Sequence, residues 1–119
     1  MATLYIPTTL QSGETGNADS TNTAMTASWE RLTQLRIIST VGATPTVTVD
    51  IKGSMDGVNY TNVAYSTEAA PATITTNPLT ITTATSALYF IQGTGTAPWL
   101  YLKLVMSNNT NVTLSSFVW

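Results

Sequence analysis

The sequence predicts an all-β chain: an antiparallel β-sandwich, jelly-roll-like, preceded by an extended N-terminal arm. Three observations carry that expectation. Apolar and polar residues alternate with period two over several short stretches, the signature of strands with one buried and one wet face. Gly, Asn, Pro and Ser clusters separate these stretches at intervals of about ten residues, the spacing of sandwiches and barrels. Threonine and Asn supply most of the polarity, while charged residues are only 8 % of the chain, against roughly 25 % in ordinary soluble domains. Threonine is β-branched and Asn tolerates turn conformations, so this composition favours strands and reversals over helices.

At 119 residues, 43 % of them hydrophobic, the chain fits one domain with its own core. The expected division is an arm or long loop over residues 1–27 and a sandwich over 28–119. Residues 4–6 alternate briefly before Pro7, with Leu4, Tyr5 and Ile6 as candidate contacts to a neighbouring subunit. From 8 to 27 the chain is Gly, Ser, Thr, Asn and Asp with almost nothing to bury, which suits either a loose surface loop or an extended arm that becomes ordered only against a neighbouring subunit. Trp29, just beyond it, is a further candidate contact to a neighbouring subunit.

The next strand is expected at 35–40, with Leu35 and Ile37 on one side and Arg36 and Ile38 on the other. Residues 42–45, Gly-Ala-Thr-Pro, read as a turn. The clearest stretch follows, TVTVDIKGSMDGVNYT over 46–61. Val47, Val49 and Ile51 point one way, and Thr48, Asp50 and Lys52 the other. Gly53 and Gly57 bracket a polar corner, after which Val58, Tyr60 and Val63 resume an apolar rhythm. This is a β-hairpin by pattern and turn chemistry. Weaker alternation runs over 73–81, and Leu88-Tyr89-Phe90-Ile91 suits a buried strand. Residues 93–98 form a loop. Beyond it Leu100, Leu102, Leu104 and Met106 share one face, and Trp99, Tyr101, Lys103 and Val105 the other. Ser107-Asn108-Asn109-Thr110 reads as a turn. The alternation then runs to the end, with Phe117 and Trp119 opposite Val118. If the strands flanking that turn pair as a hairpin, Trp99, Tyr101, Phe117 and Trp119 form an aromatic patch, unless the sandwich buries both faces here or the N-terminal arm covers them. Exposed apolar patches mark interfaces, and aromatics are enriched there; a sugar platform uses the same residue types.

Composition bears on chemistry as well. Net charge is −2 with four Lys plus Arg, so no basic footprint for nucleic acid is present. Histidine and Cys are absent, which removes the commonest general base, thiolate chemistry and most zinc sites. No Gly-x-Ser-x-Gly elbow occurs, and none of the six acids (Glu14, Asp19, Glu30, Asp50, Asp56, Glu68) has the company of a carboxylate pair across a cleft. The chain is therefore expected not to be an enzyme, with no catalytic, cofactor or metal residues. Asp56 with Ser54 and Asn59 supplies too few carboxylates for calcium and is expected to hold the turn through its own backbone. No apolar run approaches the ~20 residues of a membrane-spanning helix, and no secretory signal is expected at the N-terminus.

The stretch VDIKGSMDGVNYTNV resembles two groups of proteins. Its Val-x-Ile-x-Gly-Ser-x-Asp-Gly-x-x-Tyr pattern is similar to the strand-turn-strand of discoidin-like β-sandwiches, which bind sugars or lipid head groups. It also resembles small β-sandwich virion proteins of tailed bacteriophages, in which a GSxDGxNY hairpin, Thr/Asn-rich loops and a closing strand like Phe117-Val118-Trp119 recur. The second resemblance implies a capsid decoration (cement) protein on the phage head, made in the host cytoplasm. Its partners would be the major capsid protein and copies of itself as a homotrimer, with no nucleic acid, membrane or cofactor. The first implies a carbohydrate- or receptor-binding module with a glycan as ligand.

Overall fold

The computed structural model describes residues 8–17, 23–24, 33–92 and 99–118. Among them are eight strands and no helix: β1 (Thr8–Glu14), β2 (Thr23–Ala24), β3 (Thr33–Ser54), β4 (Thr61–Asn62), β5 (Tyr65–Thr67), β6 (Leu79–Ile81), β7 (Thr85–Ile91) and β8 (Tyr101–Val118). All pair antiparallel in one continuous sheet. The all-β, sandwich-like expectation holds, but its construction differs from a set of short strands.

Two strands dominate. β3 runs for 22 residues and β8 for 18, and they pair from Leu35↔Val118 to Ser54↔Tyr101. The stretches expected to be turns, 42–45 and 107–110, do not reverse the chain. They lie opposite one another and make an elbow in a single ribbon, marked by register shifts between Val41 and Thr46 and between Thr46 and Thr48. Thr44, Asn108 and Asn111 take left-handed φ of 44°, 53° and 53° there. Asn side chains replace the hydrogen bonds that the interrupted ladder forfeits. Asn111 Nδ2 donates to the Ala43 carbonyl at 2.7 Å, and Asn109 exchanges bonds with the Val112 backbone at 2.9 and 3.1 Å. Consequently the expected hairpin of 99–106 with 112–119 is corrected: each half of β8 pairs with its own half of β3.

The elbow divides the sheet into two layers. In the first, β1, β8, β3, β7 and β5 lie side by side. In the second, β8 and β3 carry β2 on one flank and β4 and β6 on the other. Residues 61–67 cross between layers: Val63 N bonds to the Ile51 carbonyl at 3.0 Å, and Ala64 accepts from Gln92 N at 2.9 Å. The period-two pattern sets which side chains face inward. Leu35, Ile37, Leu114 and Val118 of the first layer share one core with Val47, Val49, Ile51, Leu102, Leu104 and Met106 of the second.

Part of the predicted arm belongs to this core. β1 adds to the edge of the first layer beside 114–118, and Leu10 and Gln11 are 5 % and 6 % exposed. Gln11 Nε2 donates to Met106 Sδ at 3.0 Å across the layers, and Ser116 Oγ donates to Gln11 Oε1 at 3.2 Å. Over Thr8–Glu14 the segment is thus an edge strand, held by a buried amide satisfied at both ends. Alternation does not reveal this strand, because Leu10 is its one large apolar side chain and Gln11 takes the next inward place across a bulge.

Candidate interaction surface

Of the residues expected to form an interface, Leu4, Tyr5, Ile6, Trp29 and Trp119 lie outside the described residues. Trp99, Tyr101 and Phe117 do not come together. Trp99 precedes β8 and turns inward. Its ring fills the place where Gly53 has no side chain, since a Cβ there would stand 2.6 Å from Trp99 Cδ2 and 2.8 Å from Val63 Cγ2. Its Nε1 donates to the Gln92 carbonyl at 3.0 Å. Trp99 therefore closes the core and does not share a face with Tyr101.

Tyr101 stands on the outer face of the second layer, opposite Ser54, and its ring is covered in part by the chain's own turn. Gly57, at φ +78°, lies against that ring so closely that a Cβ would meet it at 3.3 Å. Phe117 sits half-buried on the outer face of the first layer, in a cross-strand row with Arg36 and Leu88. The Arg36 guanidinium reaches to Ser86, donating to its Oγ at 3.1 Å and its carbonyl at 3.3 Å. Ile38, in the next row, is 39 % exposed. A shallow groove runs beside this layer along residues 67–69 and 85–89.

The best-defined surface feature is the turn leaving β3. Its core is a pair of acceptors. Ser54 Oγ receives the backbone N–H groups of Asp56 and Gly57 at 3.1 and 2.9 Å and donates to Asp56 Oδ1 at 2.8 Å. The Asp56 carboxylate receives Val58 N and Asn59 N at 2.8 Å and Asn59 Nδ2 at 2.7 Å. This is the self-bonded aspartate turn expected from the Ser-x-Asp-Gly spacing. The Asn59 and Val58 N–H groups, then the Asn59 and Ser54 side chains, hold the Asp56 carboxyl far below the usual carboxylate range. Among the described residues no three His, Cys, Asp or Glu converge as metal ligands.

β4 then completes the hairpin, with Lys52↔Asn62 and Gly53↔Thr61. Beside it Lys103 Nζ stands 4.4 Å above the centre of the Tyr60 ring, a cation–π contact on the outer face. The expected apolar rhythm after the turn is corrected at its first member. Val63 is 1 % exposed, but Val58 is 78 % and Met55 46 % exposed at the tip. Alternation does not hold inside a turn, so sequence pattern had no means of assigning these two side chains a face.

No family model and no curated protein matches the chain in sequence. Among solved structures it is similar to the crystal structure of the SPBc2 prophage-derived protein YomS, with a TM-score of 0.61 and 7 % sequence identity. The superposition covers 99 % of this chain and 97 % of that one. Over nearly their whole lengths, the two chains share a fold.

Proposed function

We propose that the chain is a structural protein of a bacteriophage particle, and within that class a capsid decoration protein. The observation that carries this reading is the end-to-end likeness to a prophage-derived protein. The resemblance of the GSMDGVNY hairpin to small phage virion proteins points the same way, as does a surface carrying few charges. In this reading the chain works by binding and not by catalysis. Its partners are the major capsid protein and further copies of itself, as a homotrimer. Each decoration subunit adds buried area across the joint between capsid subunits, so leaving the lattice costs more contact surface. Because only the assembled shell presents the joint, binding stabilises the shell by mass action.

Particles purified from the phage that encodes the chain test this directly. The expected result is many copies per particle on the head, located by antibody labelling, and heads that rupture at lower temperature when the gene is deleted. Absence from particles, or labelling of the tail alone, overturns the decoration role. Light scattering of the purified chain checks the trimer.

A further inference from the structure

We propose that the groove beside β7 receives a short strand, Leu4-Tyr5-Ile6, from a second copy of the chain. This rests on the self-association read above and names the contact through which it occurs. β5 covers only part of the edge of β7. It pairs from Tyr65↔Ile91 to Thr67↔Tyr89, and among the described residues no strand lies opposite 85–87 on that side. Gln92 N bonds to the Ala64 carbonyl at 2.9 Å, and Glu68 N to the Leu88 carbonyl at 3.3 Å. In an antiparallel ladder peptide groups alternate sides, so the same parity turns the Ser86 N–H and carbonyl away from β3 and towards the groove. Arg36 Nη1 reaches that carbonyl at 3.3 Å, which leaves it a second lone pair to offer.

An open strand edge selects its occupant by chemistry. Its donors and acceptors are matched by another extended backbone, which adds as a further strand. The open length, 85–87, takes three residues. Leu4, Tyr5 and Ile6 are three alternating β-formers, closed by Pro7, which has no N–H to continue a ladder. On the core side the edge presents Thr85 and Ala87, small side chains that leave room for Leu4 and Ile6; Ala87 already packs against the core. Residues 4–7 carry no charge, and Glu68 is the one charged residue among the described ones lining the groove, so docking buries no unpaired ion on the incoming strand.

Reach decides whose segment it is. One row of residues crosses the layer: Thr8↔Val118, Val118↔Leu35, Leu35↔Tyr89 and Tyr89↔Thr67. Four strand spacings of about 4.8 Å put Thr8 about 19 Å from the line of β5. Leu4 stands four residues before Thr8, about 14 Å away at full extension. The segment therefore falls short of the groove of its own chain, and the groove it fills is a neighbour's. It leaves the layer at the β1 edge, while the groove lies at the opposite edge. The contact is thus head to tail, and three such contacts close a ring, the trimer.

The test follows the mass of the full chain by light scattering over a range of concentrations. Leu4→Ser/Ile6→Ser should raise the dissociation constant at least ~30-fold, the effect of withholding two apolar side chains from burial. Ser86→Pro removes the N–H on the open side of β7 and none of its bonds to β3, and should weaken assembly as well. Mixed together, the two variants should form dimers that neither forms alone, because the intact arm of one meets the intact groove of the other. Ser86→Pro assembling as the wild type does, or a mixture that stays monomeric, overturns the strand exchange and leaves the trimer standing. A cross-link needs no proline. The chain has no Cys, so Tyr5→Cys and Ser86→Cys copies joined by a short bismaleimide should give covalent dimers only when mixed, and their absence overturns the exchange. A monomeric wild type overturns the trimer reading and the exchange together. If that monomer binds undecorated heads and Ser86→Pro abolishes the binding, the groove takes a capsid strand in place of a second copy.

Discussion

The 53–57 corner and the 42–45 stretch look alike on paper, yet one reverses the chain and the other only bends it. Both combine glycine with small polar residues, and each lies within or beside β3. At 53–57 a serine and an aspartate gather the backbone N–H groups of four following residues, 56 to 59, so the turn closes on itself before any partner strand is considered. At 42–45 no such self-contained clamp forms. The side-chain hydrogen bond to this stretch comes from across the ribbon, from Asn111 Nδ2 to the Ala43 carbonyl. Turn-forming residues permit an irregular backbone; only a closed local hydrogen-bond set commits the chain to reversal. Without one, pairing resumes on the far side, and the elbow becomes the hinge about which one ribbon supplies both layers.

That contrast can be broken or sharpened in several ways, beginning with the ribbon itself. If both layers share one core, Leu102→Ala in the second layer and Leu114→Ala in the first should each cost about 3 kcal/mol, since both side chains are 0 % exposed. Urea denaturation should show one transition with an unchanged slope in each case. Two separate transitions would mean that the layers are independent units.

Gly53→Ala should be next, at ~1–3 kcal/mol by overpacking. The added methyl meets Trp99 and Val63 well inside ordinary contact distance. A shift in tryptophan emission should accompany the loss of stability. An unperturbed variant would show that Trp99 does not close the core at this point.

Asp56→Ala should lower the melting temperature by less than Gly53→Ala does, because the turn stays on the surface. Its signature is pH dependence. The folded carboxyl titrates far below its unfolded range, so its contribution is present above the unfolded value of about 3.9 and is lost as pH falls below it. Thermal melts of wild type and variant should therefore differ at pH 7 and converge towards pH 2. A constant difference across that range would show that the carboxylate does not clamp the turn.

The smallest effect belongs to the elbow. Thr44 is β-branched at φ 44°, where an L side chain costs roughly 1 kcal/mol. Thr44→Gly should be neutral to slightly stabilising, by no more than ~1 kcal/mol, in the same urea titration. A clear destabilisation would mean that the Thr44 side chain makes the bend.

Much of the sandwich was legible because burial of one strand face follows from period two alone. Leu35, Ile37, Val47, Val49, Ile51, Leu102, Leu104, Met106, Val112, Leu114 and Val118 all lie inside as alternation requires. The candidate surface was harder. Trp99 and Tyr101 are two residues apart and would share a face in a strand, but the ladder begins at Tyr101, so Trp99 is free to turn into the gap above Gly53. Phe117 and Tyr101 belong to one strand yet stand in different layers, because the elbow lies between them.

Local chemistry alone sufficed for two things: the inward face of each strand, and the closed turn in which Ser54 and Asp56 hold their own neighbours. Both depend on residues within a few positions of one another. Whether a glycine- or asparagine-rich stretch reverses the chain, whether a polar N-terminal segment finds a sheet edge, and which side chains stay exposed at a tip depend on partners far along the chain. Thr8–Glu14 becomes a strand because 114–118 offers an unpaired edge and the core offers Gln11 two partners. Those partners exist only once the chain has folded, and no reading of neighbouring residues contains them.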